Sequence, residues 1–347
     1  MTATAAPARH EQQGPASFVR RGWALPCAVI LFVASVLLSI FVGANSLGPG
    51  AVLDALRHQG DLQHQLILWE VRLPRTVAGV VAGISFGLAG ALIQAITRNP
   101  LADPGLLGVD AGAGFAVTVG VVLFGVSSLG TTMWLAILGA AITTTLVYAI
   151  GVVAGGQVSP MHLILAGVAL SAVLGGIGDA MVLLSPETYE AIMRWGLGTL
   201  RGIHGPELLA TAPFFATGVL LTLVLTGPLD ALALGDDLAT SLGVRVGVVR
   251  TLGVLGVSLL AGSATAITGG IGFVGLMVPH VARWLTGPSQ PRIVGYTLLL
   301  APALVLIADV CGRVVVWPNE LAVGVVVALV GAPVLIVMVR RPNASGL

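Results

Sequence analysis

The chain contains no lysine, and only 9% of its 347 residues are charged, against 56% that are hydrophobic. A soluble domain carries about 25% charged residues. A water-facing surface cannot be assembled from so few charges, so most of the outside must face lipid. The missing lysine excludes a second class. A phosphate-binding P-loop sets its lysine on the β- and γ-phosphates, so an ordinary nucleotide-hydrolysing site cannot be built here, and ATP-driven work would need another polypeptide. All sixteen basic residues are arginine, and the net charge of +1 gives no reason to expect a nucleic-acid partner. The two cysteines, Cys27 and Cys311, lie far apart in or beside apolar segments. They read as neither a disulfide framework nor a zinc site.

What is abundant is apolar sequence in runs of bilayer length, with mean hydropathy +1.00. A span needs about 20 residues, and long apolar runs mark ten: 24–43, 76–97, 107–125, 131–153, 162–184, 208–227, 249–268, 273–286, 293–312 and 321–339. The expected fold is an all-α polytopic membrane protein. A polar tail over 1–22 precedes a single transmembrane domain over 23–341, and a short tail covers 342–347. The first run could be taken for a signal peptide, but such an apolar core has about 7–15 residues; this one is longer and reads as a retained helix. The run 273–286 is short and holds Pro279. Broken helices are tolerated at membrane depth only where protein or a water-filled cavity satisfies the freed backbone. The same holds near 99–112, where Pro100, Pro104, Gly105, Gly108 and Gly112 interrupt the pattern.

Ten spans put both termini on one side. With that side cytoplasmic, ten arginines lie inside and six outside, as the positive-inside rule prefers. The six outer arginines need a reason of their own. Gly79, Gly83 and Gly87 recur every fourth residue, a stripe that lets helix backbones approach closely. The largest inner connection, 228–248, carries Asp236-Asp237 between Gly235 and Gly243. It reads either as a short amphipathic helix offering a face to a partner or as an ordinary turn. Asp179 and Asp309 are ionisable residues inside spans, which are functional candidates by default. Asp309 precedes Arg313 by four residues, the spacing of a same-face ion pair. His58, Asp61 and His64 share one polar loop, too little to predict a metal site. No cofactor and no catalytic arrangement is expected.

Six segments in order resemble the FecCD family, the permeases of type II ABC importers for ferric siderophores, haem and cobalamin. They are Arg72-Leu73-Pro74-Arg75; Gln94 with Arg98 to Gly108; Leu165 to Leu170; Leu234 to Val244; Gly270 to His280 with Arg283; and Ala308-Asp309 with Arg313, then Glu320 to Gly324. Ala322 stands where the family carries a proline.

The resemblance implies a transport subunit, not an enzyme, in the cytoplasmic membrane. It implies cytoplasmic P-loop ATPase subunits, an extracytoplasmic substrate-binding protein and a second permease as partners. Arg72, Arg75 and Arg313 match outward arginines that dock the binding protein, although the first two could simply anchor a helix. The Leu234–Val244 loop matches the helices that couple to the ATPase, with Asp236, Asp237, Ala239, Leu242 and Gly243 as the expected contact face. Asn99 and Leu101, with the turn Ser159-Pro160-Met161, match the inner gate; packing of a broken helix is the other reading. The expected cargo is a ferric siderophore, with haem or cobalamin as alternatives. The competing class is an ion-coupled secondary transporter using Asp179 or Asp309.

Overall fold

The computed structural model describes residues 15–43, 47–155, 160–183, 186–317 and 319–340. Most of both predicted tails, and Ser159 of the predicted gate, lie outside the described residues. Among the described residues there is no strand. The helices in chain order are α1 Pro15–Phe41, α2 Pro49–Leu56, α3 Leu62–Leu66, α4 Leu73–Thr97, α5 Val109–Phe124, α6 Leu129–Gly155 and α7 Pro160–Leu183. They continue as α8 Pro186–Gly196, α9 Gly205–Leu232, α10 Asp236–Ser241, α11 Val246–Thr268, α12 Val274–Thr286, α13 Gln290–Val315 and α14 Val323–Arg340. Seven segments are long and apolar enough to cross a bilayer, α5 and α14 are shorter apolar helices, and α12 has 13 residues. Together they correspond to the ten runs read from the sequence.

Two departures are physical. The second span starts earlier than its apolar run: a π-helical segment, Ile67–Arg72, joins α3 to α4 and makes 62–97 continuous. Its start is pinned by Trp69, whose Nε1 donates to the Ala55 carbonyl at 3.1 Å and whose ring stacks on His58. Asp61 accepts from the Gln63 amide at 3.0 Å and caps α3. Two of the three residues weighed as metal ligands in this loop, His58 and Asp61, thus have structural partners. The second departure is α8, a helix outside the apolar runs.

Helix α4 is the spine of the bundle; 78% of the apolar window in its span is buried. The glycine stripe shows why. A methyl on Gly83 would lie 2.4 Å from Cα of Pro302, and one on Gly87 would lie 2.6 Å from Cβ of Ala301. One on Gly90 would lie 1.9 Å from the carbonyl oxygen of Gly275. The stripe therefore brings α4 into backbone contact with α13 and then with α12. On its other flank α4 meets α11, where Leu92 and Ile96 pack against Gly256 and Gly253.

The break in α12 is satisfied from α4. Pro279 lacks the N–H that would bond the Gly275 carbonyl four residues earlier. Gln94, fully buried, donates Nε2 to the Gly275 and Leu276 carbonyls, each at 3.1 Å. An orphaned carbonyl at this depth would cost about 1–3 kcal/mol, so the glutamine amide is what makes the proline tolerable.

Large apolar side chains lie exposed along the outer helices: Ile30 and Leu37 on α1, Leu209 and Val224 on α9, Leu165 on α7, Leu329 on α14. Such a belt suits hydrocarbon, not water.

Candidate functional site

Two charge clusters occupy opposite ends of the bundle. At one end, Arg72, Arg75 and Arg313 are predicted as docking contacts, and the structure buries all three. Arg75 donates Nε and Nη2 to the Asp309 carboxylate at 2.8–3.2 Å and Nη1 to Glu320 at 2.8 Å. Arg313 donates Nε to Asp309 at 3.0 Å, the same-helix pair expected from the spacing, and Nη1 to the Ser39 and Val42 carbonyls at 2.9 and 3.0 Å. Arg72 donates Nη1 to the Ile40 and Phe41 carbonyls at 2.7 and 3.0 Å. Three cations thus face two carboxylates and the carboxyl end of α1, whose unpaired carbonyls carry the negative end of the helix dipole. These contacts give acceptors within the chain to three of the six arginines expected outside. The three therefore bind α1, α4 and α13 together rather than presenting free guanidinium forks. Glu320 is the most exposed member of the cluster.

Asp309 accepts from two guanidiniums and is 1% exposed. An ion-coupling site needs a carboxylate that exchanges its proton or cation, and this one is saturated. Asp179 lies exposed on α7.

At the other end, α4 stops at Arg98, which takes a left-handed conformation (φ 49°) and turns the chain into Asn99. The Asn99 side-chain oxygen accepts from the Leu101 amide at 2.9 Å and fixes that turn. Leu101 is exposed, and so is Met161 at the start of α7, directly after Pro160. The two elements are neighbours. A methyl on Gly167 of α7 would lie 1.9 Å from the carbonyl oxygen of Leu106, in the short 3-10 helix Pro104–Leu107 that follows the turn. The apolar pair predicted as a gate thus lies on two adjoining elements.

Helix α10 occupies the same end. Gly235 precedes it at φ 111° and Gly243 follows at φ 85°, conformations that favour glycine. Of the predicted contact residues, Asp237, Leu242 and Gly243 are exposed. Ala239 is fully buried, and Asp236, with its side chain 46% exposed, pairs with Arg98 and Arg250. Leu234 and Leu238 were not singled out by the sequence reading. They are 61% and 57% exposed and lie, with Leu242 at 66%, at four-residue intervals. The turn at Gly235 interrupts that spacing, which left them unread.

Known proteins resemble this chain over most of its length. The model of the FecCD transport family matches residues 31–341. The ferric enterobactin transport system permease protein FepD of Escherichia coli (strain K12) is 46% identical over 330 residues, covering 94% of this chain and 98% of that protein. The Fe(3+)-citrate import system permease protein YfmD of Bacillus subtilis (strain 168) is 35% identical over 317 residues, covering 90% and 93%. A solved structure of a metal-chelate type ABC transporter in an inward-facing conformation superposes with TM-score 0.81 at 28% identity, covering 91% of this chain and 98% of that one.

Proposed function

Because the chain belongs to the FecCD transport family, as the membrane-spanning permease subunit of an ABC importer, we propose that its cargo is a ferric siderophore. ATP is hydrolysed by a separate ATPase subunit, as the absence of lysine requires. The cargo reading rests on one observation: FepD, named for ferric enterobactin, matches nearly end to end at 46% identity. Uptake of radioiron-labelled ferric siderophore by proteoliposomes holding the assembled importer tests it. Saturable uptake of the iron chelate, without uptake of labelled cobalamin or haem, is the expected result. Uptake of cobalamin or haem in its place would overturn the cargo assignment.

The same reading orients the molecule. The Asp236 end and both termini lie on the cytoplasmic side. There the exposed Leu238 of α10, with Leu234 and Leu242 at its two ends and Asp237, enters a cleft on the ATPase. The Arg72 end faces outward, where the binding protein meets the rim above the buried charge cluster, Glu320 included. A second permease, either a copy of this chain or a related one, covers the apolar faces of α7 and α14. Leu101 and Met161 close the inner end by apolar constriction.

A further inference from the structure

Asp236 is the one predicted contact residue of α10 whose charge is spent inside the chain. Its carboxylate pairs with Arg98, and it accepts from Arg250 at 3.0 Å. These two cations belong to different parts of the bundle. Arg98 ends α4 and immediately precedes the Asn99–Leu101 turn. Arg250 sits in the first turns of α11, largely buried. Two guanidiniums converge on one carboxylate from sites 138 and 14 residues away in sequence. Burial lowers the Arg98 pKa, and Arg250 beside it lowers it further. The shared carboxylate is what makes it favourable for the two cations to lie together.

The surroundings give this arrangement a direction. Toward α6, a cavity of about 680 Å³ separates α10 from Tyr148 and Val152, so α10 is not braced on that flank. Toward α4 and α11 it is tied by the Asp236 pairs, and it packs directly against α9 and α11. Helices α4 and α11 are themselves packed closely, Ile96 against Gly253. A push on α10 therefore reaches α4 and its terminal turn before it reaches α6.

We propose that Asp236 is a latch, a positioning residue that ties the coupling helix through Arg98 to the turn carrying Asn99 and Leu101, with Arg250 as its second anchor. Displacement of α10 then moves the inner constriction directly. The proposal rests on the reading of α10 as the ATPase-facing helix and gives Asp236 a different role within it: transmission rather than contact.

The test uses the full importer, with ATPase subunits and binding protein, in proteoliposomes. Two quantities are read for each variant: ATPase retained on purification, and cargo moved per ATP hydrolysed. In Asp236→Asn, ATPase retention should stay near wild type while cargo per ATP falls by up to about fivefold, the upper limit for a half-exposed charged pair. Wild-type cargo per ATP in Asp236→Asn overturns the latch. If Asp236→Asn loses ATPase in step with transport, Asp236 is a contact residue and the latch is again overturned, while α10 keeps its assignment. Leu238→Arg with Leu242→Arg separates the two readings: retention of ATPase by that variant would sink the coupling-helix assignment itself. Should Asp236→Asn fail to assemble in the membrane, Arg98→Lys, which keeps the charge but not the planar fork, should show a smaller loss of the same ratio. No change in that variant's ratio would overturn the latch.

Discussion

Replacing Asp309 with Asn removes the one carboxylate shared by Arg75 and Arg313. The three side chains are 1%, 9% and 2% exposed, so water cannot take over the lost charge. Breaking a buried ion pair by removing one partner costs about 3–5 kcal/mol. Arg75 keeps Glu320, and Arg313 keeps the carbonyls of Ser39 and Val42, which places the expectation near the lower bound. At about 2.1 cal/mol/K of unfolding entropy per residue, about 3 kcal/mol corresponds to a fall in melting midpoint of roughly 4 °C for a chain of 347 residues. The assay is thermal unfolding of the purified permease in detergent, with no ATPase and no binding protein present. A double variant, Asp309→Leu with Arg313→Met, removes opposite charges together and should recover part of the loss, because apolar replacement of a whole buried pair is often neutral or better. A midpoint that moves by less than about 1 °C in Asp309→Asn would refute the reasoning. Loss of binding-protein affinity at unchanged stability would return these arginines to docking.

Four further outcomes follow from the same geometry. Gly83→Leu should abolish stable membrane expression, since even a methyl would meet the Pro302 backbone, whereas Gly295→Ala, with open space at that position, should express normally; fluorescence-detected size exclusion compares them. Gln94→Leu should destabilise the isolated permease by about 1–3 kcal/mol, seen as a lower melting midpoint, because the Gly275 carbonyl loses its donor. Leu238→Arg with Leu242→Arg should strip the ATPase during purification at least tenfold more readily than Asp237→Asn, measured as ATPase per permease. Burial pushes the Asp103 carboxyl, in the connection between α4 and α5, up to about 6. An acid whose folded pKa is raised stabilises fully below its unfolded pKa of about 4 and loses that contribution as pH rises through the folded value. Stability should therefore fall between pH 4 and pH 7, and Asp103→Asn, which keeps the acceptor for the Gly105 amide, should flatten the pH profile of the melting midpoint.

The spans were legible because each needs a run of apolar residues and the composition leaves room for little else. Even the short α12 was readable as an apolar run, and the helix continues through Pro279. The glycine stripe was readable as close packing, although its partners on α13 and α12 were not: spacing fixes the face of a helix, and only the fold says what meets it. The Asp309–Arg313 pair was read from a four-residue interval. Arg72 and Arg75 show the opposite case. Counting charges by loop predicts a side of the membrane but names no acceptors, and the acceptors for Arg72 are carbonyls at the end of α1, some thirty residues earlier. The rotation of α10 was hidden for the same reason. A six-residue helix between glycine turns has no apolar periodicity long enough to say which acid is paired; Arg98 and Arg250 decide that from other helices. Helices α2, α3 and α8 escaped because a search for bilayer-length runs passes over short amphipathic segments.

The central claim is that this chain supplies a path and a coupling helix while a partner supplies the energy. Cargo uptake into proteoliposomes tests it most directly, with the permease reconstituted alone or with its ATPase and binding protein, under an imposed proton gradient or with ATP enclosed on the ATPase side. The account predicts uptake only in the complete assembly with hydrolysable ATP, and none from the permease alone under any gradient. Gradient-driven uptake by the permease without an ATPase would contradict it.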